Sequence, residues 1–163
     1  MRFKILALGL VCLCFILSCD KKIESPYSPE VPQYDTYTVQ LQIGVAAVVS
    51  PTYVFNIYGG VNDALLTVLT IPAGDGGTGT VNVSANFEML KTSSEETFPV
   101  KWKLISCSYG EAWASDGRYQ LWMTVVPISS GITVDPTTQQ RSEAINGWNI
   151  GEVKQLTFKI KKS

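Results

Sequence analysis

Val81-Asn82-Val83-Ser84-Ala85-Asn86-Phe87-Glu88-Met89 decides the fold class of this chain. Val81, Val83, Ala85, Phe87 and Met89 alternate with Asn82, Ser84, Asn86 and Glu88. Successive side chains of a strand point to opposite faces, so strict period-two alternation defines a strand with one buried face and one wet face. A helix would need apolar residues at i, i+3, i+4 and i+7, and this stretch has none three or seven apart.

The same period recurs on both sides of it. Val39, Leu41, Ile43 and Val45 alternate with Gln40, Gln42, Gly44 and Ala46. After the break at Ser50-Pro51, Tyr53, Phe55 and Ile57 begin a second strand, which Gly59-Gly60-Val61-Asn62 turns back. Ala64 to Ile71 is more uniformly apolar and reads as a central strand. Phe98, Val100, Trp102 and Leu104 alternate with Lys101 and Lys103. Tyr119, Leu121, Met123 and Val125 follow, and Leu156, Phe158 and Ile160 close the series. Ala73 to Gly79 is a glycine-rich loop and Thr92 to Thr97 a polar one. Ser115-Asp116-Gly117 reads as a hairpin turn, because Asp-Gly accepts positive φ. Ser129 to Asn146 is long and polar, and Arg141 to Ile145 could form a single helical turn.

Seven to nine short strands with regular turn signals predict an all-β fold, a single antiparallel β-sandwich. An immunoglobulin-like or fibronectin-like topology is expected, with a jelly roll or small barrel as the alternative. The Cys-Trp-Cys pattern of true immunoglobulin domains is missing, so that likeness is one of architecture.

The amino-terminal segment is different in kind. Arg2 and Lys4 give a basic start, and Ile5 to Leu17 carries no charge over 13 residues. A membrane-spanning helix needs about 20. A short apolar run behind a basic start, ending in a small residue, is the pattern of a secretory signal. Ser18 is the small residue, Cys19 follows, and Asp20-Lys21-Lys22 returns abruptly to polar residues. Ile16-Leu17-Ser18-Cys19 resembles the lipobox of bacterial lipoproteins, in which position 16 is usually Leu and position 17 smaller than Leu. The resemblance implies cleavage before Cys19, a diacylglycerol-type lipid on that cysteine and acylation of the new amino terminus. Two or more acyl chains make membrane attachment stable where one alone is marginal. Asp20 resembles the inner-membrane retention signal of enterobacteria-like systems, a rule that differs in other phyla. The implied location is the cell envelope, with the outer membrane ahead of the inner.

The resulting organisation is a signal peptide over 1–18, a lipidated tether over 19–35 and a sandwich over 36–163. Pro26, Pro29 and Pro32 among Lys, Glu, Ser and Gln make the tether extended. Its 16 residues from Asp20 to Asp35 reach some 50 Å at ~3.1 Å each. The 145 residues from Cys19 to Ser163, tether included, fit one domain. Losing Arg2 and Lys4 from 13 basic residues, against 14 acidic, leaves a net charge of −3. So weak a field points away from nucleic acid as a partner.

Of four cysteines, Cys12 and Cys14 leave with the signal and Cys19 takes lipid, so Cys107 is alone and no internal disulfide is expected. Histidine is absent, which removes Cys-His pairs, Ser-His-Asp triads and His-ligated zinc. Cys107 therefore reads as a small buried residue near a strand end. Glu95, Glu96, Glu111 and Asp116 are the carboxylates a glycan hydrolase could draw on, since such enzymes work with a pair. Gly74 to Gly79 lacks the Gly-Lys-Ser/Thr ending of a phosphate loop, and Asp75 is its one carboxylate toward calcium. No cofactor and no metal are expected.

The aromatic residues carry the binding signal. Trp102 is in phase with the core. Trp122 is out of phase with Leu121 and Met123, and so belongs on an outer face; Trp113 and Trp148 lie near turns. Trp113, Trp122 and Trp148 are the candidate ligand-facing residues, since a Trp on a flat sheet can stack on a sugar or meet another protein. The sequence thus supports a non-catalytic, membrane-tethered binding or scaffolding domain with an envelope protein or glycan as partner. A carbohydrate-binding module is the alternative, and a hydrolase a third reading.

Overall fold

Among the described residues, nine strands between Tyr34 and Lys162 form two antiparallel sheets. The structure, a computed structural model, describes residues 29–48, 51–74 and 77–163. The signal segment, Cys19 and most of the tether lie outside the described residues, as does Asp75.

The strands are β1 (Tyr34–Ala47), β2 (Tyr53–Gly59), β3 (Ala64–Ile71), β4 (Thr78–Leu90) and β5 (Glu95–Cys107), then β6 (Arg118–Pro127), β7 (Ile132–Val134), β8 (Gln140–Asn146) and β9 (Val153–Lys162). A short helix α1 (Glu111–Asp116) lies between β5 and β6, and a 3₁₀ turn over Val61–Asp63 links β2 to β3. One sheet has the order β4-β1-β6-β8 and the other β3-β2-β5-β9-β7. The expected antiparallel sandwich is therefore the fold.

The strand order follows the immunoglobulin-type plan in part. There the first sheet runs A-B-E-D, and the second carries C′, C, F and G in succession. Here β1 and β4 stand as B and E, and β3-β2-β5-β9 as C′-C-F-G. The place of strand A, beside β1, is taken by β6 from late in the chain, with β8 outside it.

The alternating residues meet in one core. Val39, Leu41, Ile43 and Val45 of β1 face Phe55 and Ile57 of β2, Val100, Trp102 and Leu104 of β5, and Leu156, Phe158 and Ile160 of β9, all buried. Phe87, Phe98 and Phe158 form an aromatic group with centroids 5.0–5.9 Å apart. Each such side chain taken out of water is worth roughly 1.5–3 kcal/mol. Trp102 is fully buried as its phase requires, and its indole N–H has no partner.

Four local expectations are corrected. First, β3 is an edge strand, paired only with β2, and not central. Its apolar character has a local cause: the pairing skips Leu66 between Ile57↔Thr67 and Tyr58↔Leu65. That bulge changes the inward phase, so Leu66 packs on the core from one side of it and Leu69 and Ile71 from the other. Leu65 and Val68 are left half exposed.

Second, Ser115-Asp116-Gly117 is not a hairpin turn. A hairpin needs both strands in one sheet, but β5 and β6 belong to different sheets. The crossing is made by α1, entered at Gly110 with φ 84°. Buried Ala114 anchors it, its carbonyl accepting hydrogen bonds from the Tyr119 hydroxyl (2.9 Å) and the Trp148 N–H (3.0 Å).

Third, 129–146 is ordered into β7 and β8, and Arg141 to Ile145 is strand, paired with β6 from Arg118↔Asn146 to Thr124↔Gln140. Fourth, the sheet begins two residues before 36, since Tyr34 and Asp35 pair with Leu90 and Met89. The Lys162 ammonium reaches Asp35 at 3.3 Å, tying the last strand to the first.

Candidate functional site

The outer surface of the sheet β4-β1-β6-β8 is built by the same alternation that builds the core. Each strand that sends Val, Leu or Ile inward sends its even-numbered residues outward. The register lines these up across strands. One row is Thr80–Gly44–Trp122–Ser142, the next Asn82–Gln42–Thr124–Gln140, the next Ser84–Gln40–Val126. On the other side of the Trp122 row lie Thr78–Ala46–Gln120–Ala144. No Asp, Glu, Lys or Arg stands in these four rows.

Trp122 lies across the middle of this face. A β-carbon at Gly44, its direct cross-strand partner, would overlap the indole at Cε2, Cζ2 and Nε1. The ring therefore lies against the bare backbone of β1, which only glycine permits, and Gly44 is buried beneath it. Trp122 itself is partly exposed. A ring held this way keeps one face on the sheet and turns the other to solvent.

Two depressions flank the ring. One, of about 270 Å³, is lined by Gln40, Gln42, Asn82, Thr124 and Val126. The other, of about 390 Å³, is bounded by Ala46, Ala47, Val48, Arg118, Tyr119, Gln120, Ala144, Ile145 and Asn146. Within the first, the side-chain amides of Gln40, Gln42 and Asn82 are exposed and make no hydrogen bond to another described residue. Elsewhere on the face, the Gln120 amide donates to the Ser142 hydroxyl and Thr38 donates to Asn86 at 2.8 Å. The face thus offers donors and acceptors of both kinds, without charge, around one aromatic surface.

The other sequence candidates are not gathered there. Trp113 is 46% exposed on α1 and packs on Tyr109 with ring centroids 5.5 Å apart, off the four-stranded face. Trp148 is a correction: it is fully buried and cannot face a ligand. It packs on Phe55 and Tyr119 at 5.0 and 5.5 Å, and its indole N–H donates to the Glu152 carbonyl. Gly147, at φ 79°, and the bond from its N–H to the Gly117 carbonyl fold Trp148 back under α1.

The carboxylates do not form the proposed hydrolase pair across the molecule. Glu95 and Glu96 open β5, while Glu111 and Asp116 sit on α1 beyond its far end. Thirteen residues of strand separate them by ~40 Å, where a glycosidase pair stands roughly 5–9.5 Å apart. Glu95 and Glu96 themselves are engaged, Glu95 with Lys159 (3.0 Å) and Glu96 with the Leu90 N–H (2.8 Å). Cys107 is buried at the end of β5 beside Tyr53 and Tyr119. Burial pushes both tyrosine hydroxyls above their ordinary range. Among the described residues no three His, Cys, Asp or Glu side chains converge on one point.

The amide-rich face was legible only in part. Trp122 announced itself by breaking phase with its neighbours. Gln40, Gln42 and Asn82 read simply as the wet side of two strands, because nothing local says that β1 and β4 are neighbours. Fold and site together define a β-sandwich with four uncharged rows centred on an aromatic residue on one sheet face. No family of proteins, no curated protein and no solved structure matches the chain.

Proposed function

We propose that this chain is a lipid-anchored lipoprotein of the bacterial cell envelope whose sandwich is a non-catalytic binding module. It binds through the outer face of the sheet β4-β1-β6-β8. One observation carries the reading: a partly exposed Trp122, seated on Gly44, at the centre of four rows without a single charged residue. Solvent-facing sheets normally carry mixed charges. A charge-free centre to such a face needs another explanation, and a surface that meets a partner supplies one, since charged residues are depleted at the centre of interfaces. The anchor half of the reading rests on Ile16-Leu17-Ser18-Cys19 behind a basic, 13-residue apolar leader.

The test takes the full chain in its own membrane. A clickable fatty-acid analogue labels the wild type, and Cys19→Ala abolishes both label and membrane fractionation. Solubilised full chain is then incubated with isolated envelopes. Gln42→Arg, which places a charge beside Trp122, reduces retention at least tenfold, and Asn56→Arg on the opposite sheet leaves it unchanged. Equal retention of all three proteins contradicts the binding half; label on Cys19→Ala contradicts the anchor half.

A further inference from the structure

We infer that the face centred on Trp122 takes a neutral oligosaccharide or polysaccharide strand. This rests on the binding reading above and names its ligand class. A neutral glycan is a chain of rings with apolar C–H faces and uncharged hydroxyl rims, each hydroxyl both donor and acceptor. The face offers the counterpart of each part. The open side of the Trp122 indole is an apolar plate fixed against Gly44, suited to the face of a ring. The amides of Gln40, Gln42 and Asn82 are exposed and unengaged by other described residues, each with a donor and an acceptor end.

Charge and shape narrow the class further. A phosphate- or uronate-bearing polymer would bring anions to rows that hold no Lys or Arg, losing its hydration for no ion pair. Of the two arginines nearby, Arg118 lines the far depression and Arg141 stands on the edge strand β8 opposite Met123, out of phase with these rows. An apolar partner would have to cover the free amides and leave them unsatisfied, at ~1–3 kcal/mol each. The two depressions lie on either side of Trp122 along β1, from Gln40 to Ala46. Six residues of rise give a track of ~20 Å, room for several linked rings with one stacked on the indole.

The experiment uses the full chain in detergent and a panel of soluble polysaccharides. Neutral probes are mannan, xylan and mixed-linkage β-glucan; anionic probes are alginate and polygalacturonate. Retardation in affinity gels and calorimetry are the readouts. At least one neutral probe binds, with an affinity that changes less than twofold between 50 and 500 mM NaCl (about a tenfold span). Trp122→Ala weakens it at least tenfold, Gln42→Ala about threefold or more, and Trp113→Ala leaves it unchanged. Gln42 is exposed, so its variant reports on contact even should Trp122→Ala misfold. No binding to any neutral probe, binding confined to the anionic ones, or binding indifferent to both Trp122 and Gln42 overturns the inference. Loss of the inference with envelope retention still abolished by Gln42→Arg leaves a protein partner on the same face. Loss of both removes the binding reading itself.

Discussion

The two outer faces of the sandwich are made by one rule and furnished in opposite ways. On the sheet β3-β2-β5-β9-β7 the outward residues of β5 and β9 include Lys101, Lys103, Lys159 and Lys161. Three of these are balanced locally: Lys101 by Asp63 at 2.8 Å, Lys159 by Glu95 at 3.0 Å, and Lys161 by Asp135 at 2.7 Å. Such pairs keep a sheet soluble and discourage edge-to-edge association, while adding little stability each. On the sheet β4-β1-β6-β8 the four central rows hold Gln, Asn, Ser, Thr, small apolar residues and one Trp, with charge only beyond them, at Glu88 and Arg118. Alternation specifies only that these positions are wet. What fills them differs between the two sides: lysine–carboxylate pairs on one, uncharged amides, hydroxyls and an indole on the other.

The largest effect expected separates core tryptophan from face tryptophan. Trp148→Ala empties a buried site and lowers unfolding free energy by about 3–5 kcal/mol. Trp122→Ala removes a cross-strand surface contact and lowers it by about 1 kcal/mol. Chemical denaturation of the two variants measures the gap. Similar costs would mean that Trp122 is a core residue and that the comparison of faces is misdrawn.

A smaller effect tests the seat of the ring. Gly44→Val forces the indole off β1, costing roughly 1–3 kcal/mol, and abolishes ligand retention. Gly131→Ala is its control in a different sense: Gly131, at φ 77° with open space around it, pays only backbone strain and leaves retention intact. Thermal melts and envelope retention together separate the two.

Acid sharpens the charged face alone. The hydrogen bond from Lys161, then those from Thr137, hold the Asp135 carboxyl well below the usual carboxylate range. A carboxyl depressed by folding stabilises fully above its unfolded value, ~3.9, and loses that contribution as pH falls through the folded value. The difference in Tm between wild type and Asp135→Asn is therefore constant near neutrality and narrows below about pH 4. Ligand retention by Asp135→Asn matches wild type. The smallest effect is Lys101→Met, which opens one exposed pair with Asp63 and shifts stability by about 0.5 kcal/mol or less.

The sequence was readable wherever one strand's own period decided the matter. Val81 to Met89, Val39 to Val45 and Phe98 to Leu104 alternate so regularly that the core could be written down from them. Trp122 was readable for the same reason, by its place between Leu121 and Met123. Readability failed where the outcome depended on distant partners. Nothing within Ala64–Ile71 announces that only β2 will pair with it, and the bulge at Leu66 hides the true phase. Trp148 stands outside any strand, and its burial is imposed by α1, whose own helix arises from the need to cross between sheets. The uncharged face is likewise a product of register: Asn82, Gln42 and Thr124 are 40 or more residues apart and become neighbours only through β4-β1-β6 pairing.

Radical footprinting of the full chain in detergent, with and without saccharide released from isolated envelopes, addresses the central claim most directly. The account predicts protection of side chains in 40–44 and 120–126, Trp122 foremost, with 97–105 and 153–161 unchanged. Protection confined to 97–105 and 153–161 would place binding on the lysine-bearing sheet and contradict it.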